Sequence, residues 1–313
     1  MPSVRDSKEL WATARSEAVL LGDRALILVG DSRMQLDIDL DILAANTGLT
    51  PVQLAIDGSE FLPMLADLAA DDSIKGHVLV SGDIWKLVKK PHTDRANEWI
   101  DFYHKDYKDL VAPKLETLLK SHVQTLSALY ASGMPASDLL VRLITPGRVT
   151  PLYLTTKTNR QRDADYRLVE QPMFYIQRVL RNLGEMVDLS QVATETDFER
   201  LVQEKLKHSS PSHYSSENFA YVNGLVERIV ARGGKVGFVS FPMSRLILAI
   251  DEYRTPREYG WDVFAANSAA TTLNCLDYPE MNYSLPDGSH LDLHDKPAFT
   301  ADLVSRLKAK GFL

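Results

Sequence analysis

A single cysteine stands among the 313 residues of this chain. That excludes an intramolecular disulfide and any cysteine-based metal cage. Cys275 lies in the apolar stretch 271–276 and reads as a small buried hydrophobe. No apolar run approaches the roughly 18 residues that a membrane span requires. The first residues carry Arg5, Asp6, Lys8, Glu9, Arg15 and Glu17, which is not the pattern of a secretory signal. There is no basic stripe. The 35 Lys and Arg are scattered among 42 Asp and Glu, for a net charge of -7, so nucleic acid is not an expected partner. A Walker-type phosphate loop is missing. Arg232-Gly233-Gly234-Lys235-Val236-Gly237 precedes an apolar run instead of following one, so it is not a dinucleotide fingerprint. Internal repeats and low-complexity tracts are absent too, and no cofactor is implied.

What remains is an ordinary globular composition, 45% hydrophobic and 25% charged. Short apolar runs at 25–30, 51–56 and 77–80 read as buried strands. They alternate with helical periodicity at 36–46 and 60–70. This alternation predicts a doubly wound parallel sheet. The pattern then changes. Residues 93–131 read as one long helix with an apolar stripe of Leu110, Leu115, Leu118, Leu119, Val123, Leu126 and Leu129. Residues 139–157 contain strand-like stretches around Pro146-Gly147, and 171–187, 195–207 and 215–232 read as helices. Strands resume at 235–241 and 271–276, before a closing amphipathic helix at 297–310. The expectation is one domain over 1–313, with a sheet core at 25–84 and 235–313 and a mainly helical insertion or cap at 85–233.

Two short motifs carry chemistry. Gly30-Asp31-Ser32-Arg33 closes the first strand, at the edge where open α/β sheets bind ligands. Ser32 would open the next helix, with its own N–H placed to face a developing oxyanion. The bland alternative is a helix cap, for which Asp and Ser are favoured. Near the other end, Asp287-Gly288-Ser289-His290 places an acid three residues before an imidazole. The carboxylate can then fix the ring tautomer while the other nitrogen faces a nucleophile. Here the bland alternative is a surface turn, since Pro286-Asp287-Gly288 is turn-rich. Together Ser32, His290 and Asp287 fill the three roles of a serine-hydrolase triad, provided the two ends of the chain meet.

The remaining polar features are weaker. His290 and His294, with Asp292 and Asp295 nearby, have the spacing of metal ligands on a helix face. No third ligand cluster supports them, and no metal is expected. His92, His104, His122, His208 and His213 read as solvated or structural, and Asn159-Arg160-Gln161-Arg162 as a solvated loop. Trp85, Trp99, Tyr103 and Tyr107 suit stacking on sugar rings, with packing inside the cap as the competing reading.

The motifs resemble those of the SGNH, or GDSL-type, hydrolase superfamily over roughly 25–84 and 235–313. The first block is Gly30-Asp31-Ser32, the second is Gly58, and the last is Asp287-x-x-His290. The resemblance implies a three-layer α/β/α fold with a flavodoxin-like parallel sheet. It implies Ser32 as nucleophile, His290 as general base and Asp287 as its orienter, with the N–H groups of Ser32 and Gly58 as oxyanion donors. The third block departs from the family's Gly-x-Asn-Asp. Here it is Ser81-Gly82-Asp83-Ile84-Trp85, with no asparagine in register. An N–H near Gly82, or a side chain from the insertion, is the expected replacement. Arg33 and Trp85 are candidate substrate contacts. The charged start around Asp6–Trp11, followed by Gly-Asp-Ser-Arg, is similar to envelope-associated members that add or remove O-acetyl groups on bacterial surface polysaccharides. Those members commonly carry an N-terminal membrane helix. The implied substrate is a carbohydrate or an acylated small molecule, and the implied location is periplasmic behind an upstream anchor. A cytoplasmic location is the alternative. A non-catalytic carbohydrate-binding or assembly subunit on the same fold is the rival functional reading.

Overall fold

A computed structural model of the chain describes residues 3–88, 95–126, 153–169, 171–183, 194–207 and 210–313. The strand-like stretches expected over 139–152, the end of the helix expected at 171–187, Leu129, His92 and His208 lie outside the described residues.

The core is a five-stranded parallel sheet of β1 (Ala25–Val29), β2 (Thr50–Gln53), β3 (His77–Ser81), β6 (Lys235–Ser240) and β7 (Thr271–Asn274). Its order is β2-β1-β3-β6-β7, with Ile27 level with both Val52 and Val78, and Val239 level with Leu273. Counted along the sheet's own strands, this is the 2-1-3-4-5 order of flavodoxin-like sheets. Both faces are covered, which is why the strands read as continuous apolar runs. Ala25, Ile27, Val29, Val78, Val80, Val236 and Phe238 pack on one face. The helices there include Lys8–Leu21, Phe61–Ala70 and Ala220–Ala231. Leu26, Leu28, Leu79, Val239 and Leu273 pack on the other, under Leu40–Thr47 and Lys296–Ala309. The result is three layers with the strand ends of β1, β3 and β6 opening on a common rim.

Several expected elements differ in extent. The helix expected at 36–46 is two helices, Ser32–Leu36 and Leu40–Thr47. Asp39 causes the break, because its Oδ1 accepts from the N–H groups of Asp41 and Ile42 and starts a new helix. The long helix expected from 93 is a helix Arg95–Phe102, a π turn Tyr103–Tyr107 and a helix Val111–Leu126. The cap boundary at 85–233 also shifts. Ala96, Trp99, Tyr103, Tyr107 and Phe219 to Ile229 belong to the sheet core. Trp99, Tyr103 and Tyr107 are therefore packing residues, buried in that core. The apolar stripe does the opposite. Leu115, Leu118, Leu119, Val123 and Leu126 point outward, with Leu118 67% and Leu126 73% exposed.

The rest of the insertion splits in two. Helices Gln171–Leu183 and Glu195–Leu206 pack through Val179, Phe198, Val202 and Leu206 onto the helix Arg245–Arg254. Before them stands an antiparallel hairpin, β4 (Leu154–Thr156) and β5 (Arg162–Ala164). Its turn and the first residue of β5 hold Asn159–Arg162, and this is not a solvated loop: Arg160 and Gln161 are buried. No helix among the described residues is long and apolar enough to cross a membrane.

Candidate active site

Ser32 stands where β1 ends. Gly30 is required there, because a Cβ on it would lie 2.7 Å from the Ser81 Cβ of the neighbouring strand. Asp31 caps the short helix by accepting from the Arg33 N–H at 3.1 Å, and Ser32 becomes its first residue, half-buried at the rim. The bland and the chemical readings of this motif thus coincide: the cap is what presents the hydroxyl.

His290 arrives from the far end of the chain. Its Nε2 lies 2.8 Å from Ser32 Oγ across a separation of 258 residues, and its Nδ1 lies 2.8 Å from Asp287 Oδ2. Asp287 Oδ1 accepts from the N–H groups of Ser289 and His290, at 3.0 and 2.9 Å, which closes the loop on itself. Gly288 makes that closure possible. It has φ +86°, and a Cβ on it would meet Tyr175 and Ile247 at 3.0 and 3.1 Å. Both ring nitrogens of His290 are engaged, so the metal pairing considered for His290 and His294 does not form. His294 instead bonds Asp292.

Two residues that no motif announced complete the acid. Tyr166 Oη donates to Asp287 Oδ2 at 2.9 Å, and Arg178 Nη2 donates to the same oxygen at 3.0 Å. Burial opposes the charge of Asp287. The hydrogen bond and charge of His290, then Arg178 and the Ser289 N–H, outweigh it and hold the carboxyl far below the usual carboxylate range. Burial and the charge of Asp287 push the Tyr166 phenol up, so it stays a donor. The only sequence signal for such partners was the general need of a buried carboxylate for donors.

Under Ser32 lies a buried ionic network. Asp31 pairs with Lys86, which also reaches Asp83 Oδ2 at 2.7 Å, and Arg33 Nη2 meets Asp83 Oδ1 at 2.7 Å. Burial opposes ionisation of Asp31, but Lys86 and Arg33 hold its carboxyl well below the usual range. Arg33, a candidate substrate contact, is oriented by Asp83. Asp83 thus accepts from two cations, Arg33 and Lys86. Trp85 lies on the helix Ile84–Leu87, and its side chain lies outside what is described.

The expected oxyanion donors divide. Gly82 N–H donates to Val239 O at 2.9 Å, continuing the β3–β6 ladder, so it is not an oxyanion donor. Among the described residues, nothing accepts from the N–H of Ser32 or of Gly58. Gly58 sits exposed at φ +71° in a turn held by neighbours: Gln35 Oε1 accepts from Asp57 N at 3.0 Å, and Arg95 donates to Asp57 O at 3.1 Å.

Outside the triad, Asp165, Asp292 and His294 each present an atom within 4.8 Å of the others. Their charge is answered within the protein. Arg167 grips Asp165 with two hydrogen bonds, and Asp292 accepts from Tyr166 N and His294. Among the other histidines, His104 bonds Asp67 and His213 stacks on Tyr259. Cys275 is buried, and burial pushes its thiol up, away from reactivity.

No known family description matches this chain, and no curated protein matches it significantly.

Proposed function

We propose that the protein is a serine-dependent esterase or O-acyltransferase of the SGNH type, acting on an acylated carbohydrate. One observation carries this reading: a hydroxyl, an imidazole and a carboxylate from opposite ends of the chain stand in line at 2.8 Å each. Ser32 Oγ attacks the acyl carbonyl carbon while its proton passes to His290 Nε2. The negative charge on the carbonyl oxygen is met by the N–H groups of Ser32 and Gly58. As that intermediate collapses, the bond to the alkoxy oxygen breaks, and the imidazolium returns the proton to that leaving oxygen. The acyl group is left on Ser32. Water then repeats the attack and releases an acid, or a sugar hydroxyl does so and accepts the acyl group. The resemblance to envelope-associated relatives favours a surface polysaccharide as substrate and an extracytoplasmic location.

The test uses p-nitrophenyl acetate with and without candidate glycans, followed by mass analysis of the glycans. Release of p-nitrophenol by the wild type and not by Ser32→Ala is the expected result. Added acetyl mass on a glycan identifies a transferase, and lost acetyl mass an esterase. A fluorophosphonate probe that labels neither protein would instead favour the non-catalytic carbohydrate-binding reading.

A further inference from the structure

The hairpin β4–β5 touches both halves of the candidate site. On one side it reaches the turn that carries Gly58. Arg162 Nη1 donates to Asp57 Oδ2 at 2.7 Å. Arg160 reaches the same turn at one remove. It donates to both oxygens of Asp6, at 2.8 and 3.1 Å, and to the carbonyls of Gln53 and Ala55, at 2.6 and 3.0 Å. Asp6 accepts from Gln35 at 2.9 Å, and Gln35 is the residue that receives the Asp57 N–H. Arg160 holds φ +66°, a region that strains a residue with a Cβ and persists where contacts over-determine it.

On its other side the hairpin grips the acid–base loop. Leu293 N donates to Ala164 O at 2.9 Å, and Lys296 Nζ donates to Arg162 O at 2.8 Å. Just beyond β5, Tyr166 N donates to Asp292 Oδ2 at 2.9 Å, while its hydroxyl reaches Asp287. The oxyanion turn and the acid–base loop share no secondary structure with each other. The hairpin is a short piece of rigid backbone in contact with both.

We propose that the hairpin Leu154–Ala164, with Tyr166 beyond it, is a positioning clamp that fixes the Gly58 turn and the Asp287–His290 loop at one separation. The proposal rests on the acyl-transfer reading of the site. Catalytic groups must be held within about 0.5 Å of productive geometry. With Gly82 committed to the sheet, the remaining oxyanion donors carry more of that demand. Arg162 and Tyr166 are the clamp's two jaws.

The test compares Arg162→Gln, Tyr166→Phe and the double variant by Ser32-dependent turnover and by amide hydrogen exchange. Phenylalanine keeps the ring that packs against Tyr153, so the fold is retained, and a thermal unfolding scan checks it. Each single variant lowers kcat about tenfold with KM within about twofold. The double variant costs less than the product of the two, because each change frees the same element. Exchange rises at both 56–59 and 287–293 in each single variant, including the loop that the altered side chain does not touch. Loosening confined to the touched loop overturns the clamp, and so do kcat losses that multiply as independent effects or an unchanged kcat. A wild type without Ser32-dependent turnover removes the acyl-transfer reading, and the exchange pattern alone then decides the clamp.

Discussion

Ser32 stands at the end of β1 with β2 and β3 on either side, and its position is set by strand, glycine and helix cap within a few residues. His290 stands on a stretch between the 3-10 turn Pro279–Met281 and the helix Lys296–Ala309 that contains only turns. Its geometry is set by side chains from elsewhere: Tyr166 and Arg178 on Asp287, and Asp37 Oδ1 on Leu291 N at 2.9 Å. One loop is placed by backbone and the other by borrowed hydrogen bonds. Loss of a remote partner is felt by the first in folding, through the buried charges of Lys86 and Asp83, and by the second in the aim of its imidazole.

The largest expected effects come from the groups that meet across this divide. Ser32→Ala abolishes turnover, and Asp287→Asn lowers kcat about 10⁴-fold while substrate binding persists, as loss of the orienting acid does in such triads. An Asp287→Asn enzyme with unchanged kcat would remove the role assigned here. Next comes the serine side. Lys86→Met leaves Asp31 and Asp83 without their shared cation in a buried site, which costs about 3–5 kcal/mol of folding stability, read by urea unfolding. On the acid–base side, Arg178→Gln lowers kcat about tenfold and leaves the unfolding midpoint nearly unchanged, since Arg178 is only partly buried. A comparable stability loss in both variants would erase the contrast between the loops.

The smallest effect sharpens it. Burial pushes the Asp37 carboxyl up to about 7, with one oxygen lacking a partner. In the unfolded chain it titrates near 3.9, so between about pH 4 and 7 the native state holds the proton more tightly. The Asp37 contribution to stability is present below that window and is lost as pH rises through it. Asp37→Asn removes this slope and raises the unfolding midpoint at pH 8 by about 2–4 °C per kcal/mol relieved, measured by thermal scans across pH.

The strands were legible because two covered faces leave runs such as Leu26-Ile27-Leu28-Val29 uninterrupted by polar residues. Ser32, Asp287 and His290 were legible because their chemistry demands fixed local spacing. Tyr166, Arg178 and Arg160 were not. Each acts across more than a hundred residues, on partners that periodicity cannot name. Arg160 illustrates the reason: beside Asn159 and Arg162 it reads as a polar tract, yet its guanidinium finds enough acceptors to be buried. The helix Val111–Leu126 failed in the opposite sense. Its apolar spacing predicts burial, and the stripe faces solvent.

The five donors around Asp287 carry a last consequence. An acid so saturated, and held far below the usual carboxylate range, does not take over the Nδ1 hydrogen already aimed at it, so it is no second stop in a relay. The imidazole must therefore keep what it takes from the serine and give it forward. The proposed chemistry reduces to a single hydrogen shuttling between oxygen and ring, with the carboxylate as a fixed counter-charge throughout.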